Sequence, residues 1–191
     1  LHVPGEAEYT GRGVSYCATC DGAFYKGKIA AVVGGGDVAL EDALYLSNMA
    51  DKVYLIHRRD ELRGAKVLQD KVFAADNIMF MPDTVVSSIN GSDGLVSSID
   101  TKNVKTNMEE NISVNGIFIA VGMKPNVSYI NELVELDKAG YVVASEDGIT
   151  SKKGIFVAGD MRTKVLRQVI TAVSDGANAV ASVEKYLREQ N

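Results

Sequence analysis

Short apolar runs alternate with glycine-rich turns and helix-patterned segments along the first two-thirds of the chain. Ile29-Ala-Ala-Val-Val33 is apolar throughout, as in a parallel strand covered on both faces. Beyond three glycines, Leu40, Ala43, Leu44 and Ser47 recur at helical spacing and predict an amphipathic helix over Val38–Asn48. Val53-Tyr-Leu-Ile56 predicts a second strand, which completes a strand–helix–strand unit. A further helix is predicted over Glu61–Ala75 and a third strand over Ile78–Met81. Val85–Ile89 and Leu95–Thr101 flank the turn-rich Asn90-Gly-Ser-Asp-Gly94, the pattern of a β-hairpin serving as a crossover. Gly116–Val121 predicts another buried strand, and residues 1–13 read as a connecting segment.

At Gly122-Met-Lys-Pro-Asn126, proline and asparagine end the strand and redirect the chain. Beyond this boundary Tyr141–Ala144 and Ile155–Ala158 predict strands. Residues 167–188 predict a long helix with Val169, Ile170, Val173, Ala177, Val180 and Val183 facing inward. This tail has too few strands to build a sheet by itself. The expected architecture is α/β: a Rossmann-like dinucleotide-binding domain over 1–121, of the FAD/NAD(P)-binding three-layer ββα type. Residues 122–191 are expected to be part of a second domain of the same class.

Composition narrows the function. The 191 residues carry a net charge of -5, which argues against a general nucleic-acid surface. No apolar run reaches the roughly 18 residues of a membrane span. The opening Leu1-His-Val-Pro-Gly-Glu lacks the basic-then-apolar layout of a signal peptide, so a cytoplasmic protein is expected. Both cysteines lie in Cys17-Ala-Thr-Cys20, and a loop this small is no staple for a secreted fold. Zinc takes about four ligands, and one CxxC with the two histidines His2 and His57 makes a metal site a poor fit.

The remaining signals form a redox set. A thiolate attacks a disulfide and a neighbouring thiol resolves the mixed species, so Cys17 and Cys20 are candidate redox thiols. Asp21 follows at once and suits a general acid for the departing thiolate. In Gly34-x-Gly36-x-x-Ala39, with Asp37 and Val38 inside it, strand and helix flank a turn that lets backbone approach a pyrophosphate. About 20 positions on, where NAD-binding folds place an acid, stands His57-Arg58-Arg59, with Arg63 one turn further. Such cations favour a 2′-phosphate and hence NADPH. Gly154-Ile-Phe-Val-Ala-Gly159-Asp160 ends in a carboxylate that can accept bonds from a polyol, and Arg167-Gln168-Val169 opens the last helix.

Together these segments resemble the low-molecular-weight, bacterial-type thioredoxin reductases over nearly the whole chain. The resemblance is carried by Gly13-Val-Ser-Tyr-Cys-Ala-Thr-Cys-Asp-Gly22, Val33-Gly-Gly-Gly-Asp-Val-Ala39, His57-Arg-Arg-Asp-Glu-Leu-Arg63, Ala120-Val-Gly-Met-Lys-Pro-Asn126 and Gly154-Ile-Phe-Val-Ala-Gly-Asp160. It implies electron flow from NADPH to FAD, to the dithiol, and then to thioredoxin, in a homodimer whose two domains rotate relative to each other. It further implies that Cys20 is the flavin-proximal thiol, Cys17 the attacking one and Asp21 the acid. Gly34, Gly36, Asp37, Val38 and Ala39 would sit at the NADPH pyrophosphate, and His57, Arg58, Arg59 and Arg63 at the 2′-phosphate. Val121 and Gly122 would lie by the cofactor, while Gly159, Asp160, Arg167, Gln168 and Val169 would contact FAD.

The chain departs from that pattern in two places. Val38 stands where a small hydroxyl residue is common, and nothing upstream of residue 29 supplies the FAD domain's own glycine motif. A fragment is therefore expected, with weak NADPH binding and no thioredoxin turnover by itself. The flavoprotein of alkyl hydroperoxide reductase is an alternative, although Ala18-Thr19 and the basic cluster argue against it. A non-catalytic NADP(H)-binding module is another. Flavin-dependent ferredoxin reductases generally lack the dithiol.

Overall fold

The computed structural model describes residues 1–190, with Asn191 outside the described residues. The chain divides into two compact units, Leu1–Gly122 and Met123–Asn191.

In the first unit the apolar runs become a parallel sheet. Its strands are β1 (Val14–Ser15), β2 (Ile29–Val33), β3 (Lys52–Ile56), β4 (Ile78–Met81) and, later in the chain, a strand over Gly116–Ile119. Between β4 and that last strand come β5 (Thr84–Ser92), β6 (Leu95–Asn103) and β7 (Glu109–Ser113), so Gly116–Ile119 is β8. The parallel sheet has the order β1-β8-β2-β3-β4, and β5-β6-β7 form a separate antiparallel meander.

Strand alternation sorts the core into two layers. Ala30 and Val32 of β2 face helices α2 (Asp37–Ser47) and α3 (Lys66–Ala74), joining Leu40, Ala43, Leu46, Leu55 and Phe118. Ala31 and Val33 point the other way, into a core shared with Val86, Ile89, Val96, Ile99 and Ile112 of the meander. Meander, sheet and helices thus make three layers, as expected of the ββα type.

Some elements differ from expectation. The hairpin gains a third strand, β7, of which only Ile112 is buried, so its sequence shows almost no alternation. The two-residue β1 is too short to leave a pattern, and the segment after it forms the four-residue helix α1 (Ala18–Asp21). The helix expected from Glu61 begins only at Lys66. Gly35 O accepts from both Arg63 N (2.6 Å) and Gly64 N (3.1 Å), and Asp37 Oδ1 accepts from Ala65 N at 2.6 Å. Residues 63–65 therefore spend their donors on the glycine turn instead of on a helix.

The second unit corrects two expectations. Tyr141–Ala144 and Ile155–Ala158 are not strands. Among the described residues only isolated bridges form there, Leu136 with Val142, Val142 with Arg162, and Ile149 with Phe156. A strand needs a neighbour along its length, and these segments find one only at isolated residues. A small core of Val127, Val134, Val142, Ala144 and Val157 holds the unit. Its helix, α4 (Val169–Arg188), does not bury the anticipated stripe: Val169 is 82% exposed, Ile170 73%, Val173 63% and Val180 62%. Ala177 is also exposed and Val183 half-buried. The apolar period marks which face seeks cover, and among the described residues that cover is absent. No helix in the described residues is long and apolar enough to cross a membrane.

Candidate functional site

The carboxyl ends of β1, β8, β2 and β3 lie along one edge of the parallel sheet, since Val33 is level with both Ile56 and Ile119, and Ser15 with Phe118. In such sheets ligands settle beyond this edge. The turn after β2 begins at Gly34, whose N–H donates to Ile56 O at 3.0 Å. A side chain on Gly34 (φ 155°) would start 2.4 Å from Ala120 O and 2.7 Å from Ala39 Cβ, so only glycine lets α2 pack this close to the strand. Gly35 serves another purpose: the imidazole of His57 occupies the place where its Cβ would be. Gly36, the N-cap of α2, is open: beyond its chain neighbours, a Cβ there would meet nothing within 4 Å among the described residues. That is room for a ligand to reach the helix N-terminus.

Beside this turn is a cavity of about 440 Å³ lined by Val33, Gly34, Gly35, His57, Arg58, Arg63, Thr84, Val121 and neighbours. His57 is 4% exposed and its Nε2 has no hydrogen-bond partner among the described residues. Burial depresses its pKa below the usual histidine value, and the charges of Arg63, Arg58 and Arg59 push it further the same way. The three arginines are exposed, and among the described residues none has a carboxylate within ion-pair distance. Unpaired cations, an orphaned buried imidazole nitrogen and an open N-cap together fit a phosphorylated dinucleotide. Arg59 does not line the cavity itself. Val38 is 61% exposed, and Asp37 is engaged in holding Ala65.

Cys17 and Cys20 form a disulfide. Cys17, extended and half-buried, caps α1 by accepting Cys20 N on Sγ at 3.2 Å, while Cys20 is exposed. Only β8 separates β1 from β2, so the strand that leads into the dithiol and the strand that leads into the glycine turn run roughly 10 Å apart. Ser15 is 5% exposed, and its hydroxyl donates to Asp21 Oδ2 at 2.6 Å while accepting Cys17 N at 3.1 Å. One hydroxyl thus ties the carboxylate to the cysteine backbone.

In the second unit a cavity of about 410 Å³ is lined by Lys124, Asn126, Tyr129, Tyr141, Asp160, Arg167 and neighbours. The Arg167 guanidinium lies over the Tyr141 ring, 3.9 Å from its centroid, and its Nε donates to Asp160 O at 3.3 Å. Gly159 turns with φ 82° and donates its N–H to Asp175 Oδ2 at 3.0 Å. Gln168 and Thr171 cap α4 reciprocally.

The family model described as pyridine nucleotide-disulphide oxidoreductase matches residues 1–176. The chain belongs to this family. It is similar to the thioredoxin reductase of Peptoclostridium litorale, 44% identical over 97% of this chain and 61% of that protein. The thioredoxin reductase of Bacillus subtilis (strain 168) is 43% identical over 99% of this chain and 60% of its own length. The crystal structure of thioredoxin reductase from Streptococcus pyogenes MGAS5005 is 48% identical, covers 99% of this chain and 62% of its own, and superposes with a TM-score of 0.93. The chain therefore spans about three-fifths of the length of these relatives. The expected resemblance and the expected Rossmann-like fold are both confirmed.

Other residues of this pyridine nucleotide-disulphide oxidoreductase escaped sequence reasoning. Ser15 sits inside a recognisable segment, yet its link to Asp21 depends on how β1 meets α1. Gly64 is needed because a side chain there would start 2.4 Å from Leu40 Cδ1, and its position right after Arg63 was the available signal. Tyr141 and Asp175 act at the Gly159–Arg167 segment from distant positions, without any motif of their own.

Proposed function

We propose that this chain is part of a thioredoxin-disulfide reductase, with 1–121 its NADPH domain and 122–191 the C-terminal segment of its FAD domain. The observation that carries the proposal is the joining of a CxxC disulfide and a cationic dinucleotide cavity on one sheet edge. FAD and NADPH, when bound, supply the hydride and electron transfers. Gly34, Gly36 and Ala39 would shape the pyrophosphate site together with Asp37 and Val38, and Val121 and Gly122 would flank it. His57, Arg58, Arg59 and Arg63 would face the 2′-phosphate. Asp160 has its carboxylate exposed at a cavity, so it suits a polyol hydroxyl, with Gly159, Arg167, Gln168 and Val169 around it.

With the dithiol reduced, the Cys17 thiolate attacks the disulfide of thioredoxin and forms a mixed disulfide, releasing one thioredoxin thiolate. Cys20 then attacks Cys17 Sγ, re-forming the bond seen here and freeing the second thiolate. Asp21, oriented by Ser15, is placed to hand a proton to a departing sulfur. Over the cycle NADPH loses a hydride and the partner disulfide gains two electrons and two protons. The same reading takes thioredoxin or a thioredoxin-like protein as partner, a homodimeric whole protein and a reducing cytoplasmic setting, which suits a chain whose only cysteines form the redox pair.

The test joins this chain to the portion of a thioredoxin reductase that it does not span and follows NADPH oxidation with oxidised thioredoxin. The proposal expects a yellow protein with thioredoxin-dependent NADPH consumption that Cys17→Ser abolishes. The 191-residue chain alone is expected to bind NADPH and to turn over no thioredoxin. A flavin-loaded protein that reduces no disulfide, or disulfide reduction by the isolated chain without flavoprotein, would refute it.

A further inference from the structure

Inside the arginine loop 57–63 stand two carboxylates, Asp60 and Glu61, within reach in sequence of three guanidiniums. An unrestrained Asp60 would pair with its arginine neighbours and compete with any phosphate brought to them. The structure disposes of that carboxylate elsewhere. Lys105 Nζ lies 2.7 Å from Asp60 Oδ2 and 3.0 Å from Asp83 Oδ2, so one ammonium bridges two carboxylates on separate segments.

Lys105 is presented by a built turn between β6 and β7. Asn103 Oδ1 accepts from Lys105 N at 3.0 Å and Thr106 N at 2.9 Å, and Asn107 takes φ 59°. The turn is also tied to the loop through backbone. Val104 N donates to Asp83 O at 2.7 Å, Asp83 N donates to Arg59 O at 3.2 Å, and Thr84 N donates to His57 O at 2.9 Å. Asp83 itself has only 14% of its side chain exposed. The meander and the turn before it thus latch the basic loop through both backbone and side chains.

We propose that Lys105 is a positioning residue for cofactor choice: by holding Asp60 it leaves the guanidiniums of Arg58, Arg59 and Arg63 free for a 2′-phosphate. The inference rests on the reading of this loop as the phosphate site. It is distinct from that reading, because Lys105 lines no part of the cavity and belongs to another layer of the fold. NADH has no phosphate at this position and is indifferent to Asp60.

The experiment measures NADPH and NADH affinity of the present chain by calorimetric titration, for the wild type, Lys105→Gln, Asp60→Asn and the double variant. An exposed bridge of this kind is worth a factor of about two to five in affinity. Lys105→Gln is expected to weaken NADPH by that factor and leave NADH unchanged. The double variant is expected to recover NADPH binding, since the competing carboxylate is gone. Equal weakening of NADPH and NADH by Lys105→Gln, no change with either, or a double variant as weak as Lys105→Gln would overturn the proposal. A wild type without preference for NADPH would overturn the phosphate-site reading itself and this inference with it.

Discussion

The imidazole of His57 fills the position where a side chain on Gly35 would begin: a built Cβ lies 2.4 to 2.6 Å from three of its ring atoms. The middle glycine of the turn therefore exists to seat a residue at the end of the next strand, and Gly36 is the one that leaves room for a ligand. Gly35→Ala must displace the buried ring, at a cost of about 1–3 kcal/mol. Gly36→Ala meets nothing and adopts φ −96° without strain, so its stability should stay within about 1 kcal/mol of wild type. Both variants should weaken NADPH. Thermal melting with nucleotide titration separates them, and equal melting temperatures for the two would contradict the assignment.

Protonation of His57 should couple to folding and binding. Its native pKa lies below the ordinary 6.5, so the unfolded chain takes up a proton first as the pH falls. The first unit should lose stability below about pH 6.5, and His57→Gln should remove that component. A phosphate beside the ring favours the charged form, so NADPH affinity should rise over the same interval. Urea denaturation and calorimetry between pH 5 and 8 provide the check, and a His57→Gln profile identical to wild type would rule the coupling out.

Asp42 on α2 acts in the opposite sense. Burial, assisted by the neighbouring charge of Glu41, raises its pKa from 3.8 to about 6. A carboxyl raised in the folded state contributes stability at low pH that is lost as pH climbs through that value. Asp42→Asn should therefore stabilise the first unit at pH 7.5, by about 1 kcal/mol, and have little effect at pH 4. Melting curves at the two pH values decide, and a gain confined to pH 4 would contradict the assignment.

Asp175 is 3% exposed and holds Arg162 through two bonds of 2.7 and 2.6 Å, along with Lys164 at 2.8 Å and Gly159 N. These partners hold its carboxyl far below the usual range. Removing one member of a buried pair costs about 3–5 kcal/mol because the other charge stays behind. Asp175→Ala should speed hydrogen exchange across residues 123–190 while protection in the parallel sheet is kept. Unchanged exchange around Gly159 would show that the pair does not secure this turn.

Ser15→Ala removes the hydroxyl between Asp21 and the Cys17 backbone. Reduction of Cys17–Cys20 by dithiothreitol should slow, by up to about 100-fold if Asp21 loses its place as proton donor. NADPH affinity should be unchanged, and Ser15→Thr should recover much of the rate. A Ser15→Ala protein reduced at the wild-type rate would remove Ser15 from the redox machinery.

Whatever depends on neighbours in the chain could be read from the sequence. The CxxCD dithiol, the glycine turn between β2 and α2 and the His57–Arg63 cluster all lie within a few residues, and β2, β3, β4 and β8 declare themselves as apolar runs. The tertiary structure decided what depends on distant partners. The start of α3 was moved to Lys66 because Gly35 and Asp37 take the donors of residues 63–65. Val142 and Phe156 were left with isolated bridges because, among the described residues, no strand runs beside them. Asp60 was turned to Lys105, and Asp175 to Gly159, across 45 and 16 positions. The apolar stripe of α4 was legible as a stripe, but its exposure was not: periodicity records which side chains avoid water, and only packing shows whether anything covers them.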